Sequence, residues 1–129
     1  MEDHEERDPW MSWVPILLHV VGAAHLLLGV GGILFLTGAG GLMATSGVGN
    51  DGAWVFGVML LEAVFIGGVT FGIGAVHFAA GWGFGRGAKW GWFGALILGA
   101  IWAPSACLPV GVAILYGCLN QRTRTRFIG

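Results

Sequence analysis

Four long apolar runs, separated by short stretches rich in glycine, proline or charge, form most of the sequence. Interpreted as helices, they cover residues 13–36, 53–83, 89–103 and 110–121, after a polar N-terminal segment at residues 1–9 and before a basic C-terminal tail at residues 122–129. The first two runs would be roughly 36 and 46 Å long, enough to cross a hydrocarbon layer about 30 Å thick. The last two would reach only roughly 18–23 Å. They form either two further spans, which we favour, or a hairpin that enters the layer only halfway.

The composition agrees with a lipid environment for these runs. Hydrophobic residues make up 56% of the chain and charged residues 10%, whereas a soluble domain usually has about 25% charged residues. We therefore predict one all-α membrane domain over residues 1–129, a polytopic transmembrane bundle of about four helices. The acidic N-terminus lacks the basic region of a secretory signal, so we expect the first run to remain in the mature protein. The net charge of −1 gives no indication of a nucleic-acid partner.

The distribution of charge predicts the orientation of this bundle. With four spans, all six basic residues lie on one side of the membrane: Arg7, Arg86, Lys89, Arg122, Arg124 and Arg126. An excess of Lys and Arg marks the cytoplasmic side, so both termini are expected to be cytoplasmic. Tryptophans fall near the predicted interfaces, where amphipathic rings are favoured; we expect Trp13, Trp54, Trp90 and Trp102 to act as anchors, together with the three arginines of the tail.

Small residues predict where helices pack closely. Gly68, Gly72, Ala75 and Ala79 are spaced by four, three and four residues, so they form one stripe on the second helix. In lipid, such stripes let two helix backbones approach each other. Gly22 and Gly29 on the first helix are a candidate matching surface. The stripe packs either inside the bundle, which we favour, or against a helix of a partner protein.

Polar residues within the apolar runs are the candidate functional groups. Glu62 is the acid in the middle of the second run, and an ionised carboxylate at membrane depth costs several kcal/mol. Its depth in the membrane is comparable to that of His25, so His25 and Glu62 are a candidate pair. Glu62 then serves either as a hydrogen-bonded helix fastener, which we favour, or as a proton relay, a cation site or a contact to a partner.

The membrane histidines are candidate ligands for a haem or a chlorophyll-type pigment. His19, His25 and His77 all lie in apolar runs, and axial ligation needs a neutral imidazole beside small residues. The alternative, a hydrogen-bonded packing role, is the more common one for a lone membrane histidine. The sequence contains no metal-ligand spacing, phosphate loop or nucleophile motif. We therefore expect no catalytic residue and no metal site.

Two segments carry a family resemblance. AGWGFGRGAKW at residues 80–90 and PVGVAILYG at residues 109–117 resemble a loose group of small four-helix bacterial membrane proteins of unknown function. That group has a glycine-rich second helix, a G-R-x-x-W-like turn and a last helix opening with P-x-G. The resemblance implies the same four-helix arrangement in a bacterial inner membrane, and it assigns no catalytic residue.

These patterns favour an accessory or scaffold subunit that packs beside other integral membrane subunits. One alternative is a cofactor-binding membrane subunit that uses the histidines. Another is a proton-conducting, ion-conducting or holin-like oligomer centred on Glu62. An enzyme is the least expected, because nothing places a nucleophile, a base and an oxyanion stabiliser together.

Overall fold

The computed structural model describes residues 8–46, 51–105 and 107–129 and folds them into five α-helices. They are α1 (Trp10–Thr45), α2 (Gly52–Gly85), α3 (Lys89–Trp102), α4 (Leu108–Leu119) and α5 (Gln121–Ile128). These ranges contain no β-strand, so the all-α prediction is confirmed.

The first helix is longer at both ends than the predicted span of residues 13–36. It begins at Trp10 because the Asp8 carboxylate accepts a hydrogen bond from the Trp10 backbone N–H at 3.1 Å, as a helix cap does. It continues through the glycine-rich stretch expected to be a loop, as far as Thr45. Gly40 is buried there, and a Cβ on it would lie only 3.2 Å from the Cβ of Met59. Packing against α2 therefore overrides the poor helix propensity of glycine. The rest of the expected loop includes residues 47–50, which lie outside the described residues.

The basic segment 122–129, expected to be a tail, forms most of α5. Asn120 separates α4 from α5, and its side-chain oxygen accepts a hydrogen bond from the Arg122 backbone N–H at 3.1 Å. This cap starts the new helix directly after α4 ends.

Two helices, α1 and α2, are long and apolar enough to cross a membrane. In contrast, α3 has 14 residues and α4 has 12. Full spanning by α3 and α4 stays a prediction.

The described residues divide into two compact units. The first, called the aromatic unit, contains the residues up to Val21 and those from Val76 to Gly129; the second, called the two-helix unit, is Gly22–Ala75. The aromatic unit has a core to which every helix contributes, formed by Val14, Leu18, Ala80, Phe84, Trp92, Ala95, Leu98, Ile114, Cys118 and Phe127. The Trp92 indole N–H lies inside this core and donates to the Cys118 carbonyl at 3.0 Å, so its one polar group is satisfied.

A close approach of backbones holds α2 and α3 together in the aromatic unit. Gly87 between them has φ +72°, a conformation that favours glycine. Gly91 then lies so near the backbone of Gly83 and Phe84 that a Cβ on it would overlap their atoms. Glycine at position 91 is therefore a requirement of this turn.

In the two-helix unit, glycines of α1 and α2 face each other. A Cβ on Gly29 would lie 3.2 Å from the Gly67 carbonyl oxygen, and one on Gly74 would lie 3.0 Å from the Gly22 carbonyl oxygen. A Cβ on Gly67 would overlap the Ile33 side chain. Gly22 thus lies against Gly74, and Gly29 against Gly67, rather than against the stripe that begins at Gly68.

Candidate functional site

The most buried polar side chain of α2 is His77, in the aromatic unit. It has no exposed surface, and its Nε2 accepts a hydrogen bond from the Trp102 indole N–H at 2.7 Å. An indole N–H only donates, so this nitrogen is unprotonated and the proton of the neutral ring lies on Nδ1. Ligation of an iron by His77 Nε2 would require this hydrogen bond to break.

His19 is held by its own helix. Its Nδ1 lies 2.6 Å from the Pro15 carbonyl oxygen. Because a carbonyl only accepts, Nδ1 carries the proton, and Nε2 is left as the nitrogen with an acceptor lone pair. The ring packs edge-on to Phe78 and so closely against Gly81 that a Cβ there would lie 2.8 Å from Cε1. This arrangement, a ring oriented by a backbone carbonyl beside a glycine, resembles that of ligating histidines.

Glu62 and His25 belong to the two-helix unit. His25 is half-buried and has an interaction of its own. Glu62 is exposed, and within residues 8–46, 51–105 and 107–129 it forms no hydrogen bond or ion pair. The structure therefore does not bring the expected His25–Glu62 pair together. It presents the carboxylate on the outside of α2 among exposed apolar side chains such as Leu61 and Phe65.

The small-residue stripe predicted on the second helix is also on the outside. Gly68, Gly72, Ala75 and Ala79 are all exposed, and a Cβ on either glycine would meet nothing within 4 Å. Of the two alternatives in the sequence, packing of the stripe inside the described chain is thus not observed. The contacts to α1 are made by a different set of glycines on the opposite face.

The predicted interface anchors fall into two groups. Trp13, Trp54 and Trp90 are more than half exposed, and Arg122, Arg124 and Arg126 are exposed on α5. Trp102, in contrast, is half-buried and uses its N–H for His77. Its role within the aromatic unit was not visible in the sequence, because the two residues are 25 positions apart.

One further polar contact and one groove were also not predicted from the sequence. The Thr123 hydroxyl donates to the Asp8 carboxylate at 2.6 Å, which joins the start of α1 to α5. An open groove of about 370 Å³ lies nearby and is lined by Pro9, Trp10, Trp13 and Leu17. The described residues that line it carry no ionisable side chain, so they offer shape and apolar surface rather than acid–base chemistry.

Replacing Trp102 with Phe tests the importance of the histidine contact. An aromatic ring is kept, although a smaller one, and the buried Nε2 of His77 loses its donor. Leaving a buried acceptor unsatisfied costs about 1–3 kcal/mol, so we expect the free energy of unfolding to fall by this amount. Unfolding of the purified protein in mixed micelles with increasing denaturing detergent measures the change. Trp90→Phe is the control, because Trp90 is exposed; equal losses in both variants would contradict this account.

The described residues contain no group of three or more His, Cys, Asp or Glu side chains that could hold a metal ion. The candidate site consists of two separate features of α2. One is the buried His77–Trp102 pair in the aromatic unit, and the other is the exposed surface that carries Glu62 and the small-residue stripe. The family resemblance in the sequence stays a prediction, because comparisons with protein-family models, curated proteins and solved structures give no match to this chain.

Proposed function

We propose that this chain is a non-catalytic accessory subunit of a larger membrane protein complex, which packs a partner helix against the outer face of α2. The observation that carries the proposal is the exposure of the stripe formed by Gly68, Gly72, Ala75 and Ala79. Between helices in lipid there is no hydrophobic driving force, and small side chains favour association by allowing close dispersion contacts. The helix α2 packs against α1 through one face that contains glycines, and a second face of small residues remains exposed.

The surface around the stripe supports a lipid or protein environment. Large apolar side chains of α1 and α2 point outward, among them Leu27, Phe35, Trp54, Leu61 and Phe65, each more than 70% exposed. Contiguous apolar surface of this kind marks a membrane or a protein interface. The proposed setting is a bacterial inner membrane crossed by four helices, with the basic residues and both termini in the cytoplasm.

Glu62 supports a protein partner over lipid alone. It lies ten residues into α2, roughly 15 Å from the helix start at Gly52. On a lipid-facing surface an ionised carboxylate at that depth costs several kcal/mol. A donor or cation on a partner helix would remove this cost.

Gentle extraction of the untagged protein from its native membrane tests the proposal. We expect it to elute as part of a larger complex, and Gly68→Leu/Gly72→Leu to reduce the co-purified partner by about tenfold or more, since bulky side chains separate the backbones. Gly31→Leu/Gly38→Leu is the matched control, because these α1 glycines also meet nothing within 4 Å. A free monomer in native membrane, or equal losses for both double variants, would refute the proposal.

The same purified sample separates two alternatives. A cofactor-binding subunit, favoured by the orientation of His19, requires an absorbance band beyond the tryptophan region. A proton-conducting, ion-conducting or holin-like oligomer, favoured by the exposed Glu62, requires liposome flux that Glu62→Gln abolishes.

A further inference from the structure

The last helix is fixed to the rest of the aromatic unit. Thr123 is fully buried and bonded to Asp8, and Phe127 is 2% exposed. The Phe127 ring lies 5.0 Å from that of Phe84 and stacks on that of Trp92 with 6.3 Å between centroids. The arginines of this segment are therefore carried on an ordered helix.

The cations of α5 lie on both sides of its buried stripe. At about 100° per residue, Arg124 falls on one flank of Thr123 and Phe127, and Arg126 on the other. Both side chains are exposed. Arg122 has an interaction of its own, so the argument rests on Arg124 and Arg126.

A second pair of cations belongs to the same end of the aromatic unit. Arg86 follows Phe84 by two residues, and Arg126 directly precedes Phe127, so the contact between the two phenylalanine rings places the end of α2 beside the end of α5. The Arg86 guanidinium lies 4.0 Å from the centre of the Trp82 ring. Lys89, three residues further along, is exposed.

Exposed tryptophans accompany these cations. Trp82 and Trp90 are each about half exposed, with ring centroids 6.3 Å apart. Indole rings favour the head-group level of a bilayer. The combination of indole rings and guanidinium groups on one surface is therefore suited to the zone where phosphates lie.

The described part of the aromatic unit does little to neutralise this charge. Its sequence contains one acidic side chain, Asp8, and both carboxylate oxygens of Asp8 are used, one by Thr123 and one by the Trp10 backbone. The cationic side chains are exposed, and the described residues of this unit contain no acidic side chain besides Asp8.

We infer that Arg86, Lys89, Arg124 and Arg126 belong to one cationic surface that binds the phosphates of anionic phospholipid head groups. Guanidinium groups bind phosphate oxygens with paired, charge-assisted hydrogen bonds, and basic residues beside a membrane attract anionic lipids. This inference rests on the membrane location in the proposed function. It adds a preference for one class of lipid, which membrane insertion alone does not require.

Quenching of tryptophan fluorescence by brominated lipids tests the inference. The full chain is reconstituted in vesicles of equal parts phosphatidylcholine and phosphatidylglycerol, with bromine on the acyl chains of one lipid at a time. We expect brominated phosphatidylglycerol to quench several-fold more strongly. Arg124→Gln/Arg126→Gln should bring the two lipids close to equality, whereas Arg124→Lys/Arg126→Lys should keep most of the preference because the charge remains. Added salt should weaken the preference.

The outcomes separate this inference from the proposed function. Equal quenching by the two lipids in the wild type, or a preference unchanged in Arg124→Gln/Arg126→Gln, overturns the lipid site but leaves membrane insertion standing. Absence of quenching by either lipid overturns both. Glu2, Asp3, Glu5 and Glu6, which precede the described residues, are neutralised together in a further variant. The preference should then be retained or increased, and its loss would contradict the site.

Discussion

Phe127→Ala is expected to detach α5 from the aromatic unit and to lower the free energy of unfolding by about 3–5 kcal/mol, the usual cost of removing a buried aromatic ring. The ring is almost fully buried between Phe84 and Trp92, so its removal leaves a cavity lined by two aromatic side chains. Detergent-denaturation curves of the wild type and the variant measure the loss.

Limited digestion with trypsin reports on the same change locally. Three arginines lie in α5, and a protease needs several residues of unfolded backbone, so release of the helix should accelerate cleavage there. Ile128→Ala is the matched control, because Ile128 is adjacent to Phe127 but its side chain is 48% exposed. Similar stability losses in the two variants, or unchanged cleavage in Phe127→Ala, would show that α5 is not held by this ring.

Gly67→Leu is expected to have the second large effect, by forcing α1 and α2 apart in the two-helix unit. The position already lies against the Ile33 side chain and the Gly29 backbone, so even a Cβ overlaps its surroundings. Overpacking of this kind typically costs about 1–3 kcal/mol, and more where backbone must move. The Cβ itself would overlap only the Ile33 side chain, but the Gly29 carbonyl oxygen is 3.4 Å from it and leaves little room for the rest of a leucine, so we expect the upper end of that range.

Gly68→Leu provides a control one residue away. A Cβ at that position meets nothing within 4 Å, so the isolated protein should unfold as the wild type does, in the same detergent titration. The two variants add the same side chain to adjacent positions of one helix. If they destabilise the protein equally, the assignment of inner and outer faces of α2 is wrong.

The contrast between these adjacent glycines also shows how far the sequence could predict the fold. Long apolar runs located α1 to α4 approximately, because their length and composition require no knowledge of the partners, whereas the polar sequence of α5 gave no such signal. The sequence could not predict which face of α2 packs against α1. This helix is apolar on all sides and lacks the polar stripe that usually marks the exposed face. With glycines at both 67 and 68, spacing alone favoured the stripe that begins at Gly68, and the structure uses Gly67 for α1.

The candidate site was predictable to a similar extent. Glu62 and His77 were identifiable because ionisable residues are unusual within apolar helices. The partner of His77 could not be predicted, because it is an indole 25 positions away in the sequence. In α5, the alternation of arginine and threonine suggested a polar tail. Because of that alternation, nothing in the sequence indicated that Thr123 and Phe127, four positions apart, form one buried helix face.

The bond between Asp8 and Thr123 spans 115 positions of the chain, and this sets a constraint on the order of assembly. During synthesis the Asp8 carboxylate is made long before Thr123, whose hydroxyl donates to it, so the aromatic unit can close only after translation has passed α5. Until then the core that contains Val14 and Leu18 lacks Phe127, and its apolar side chains must be shielded in another way while the chain is incomplete.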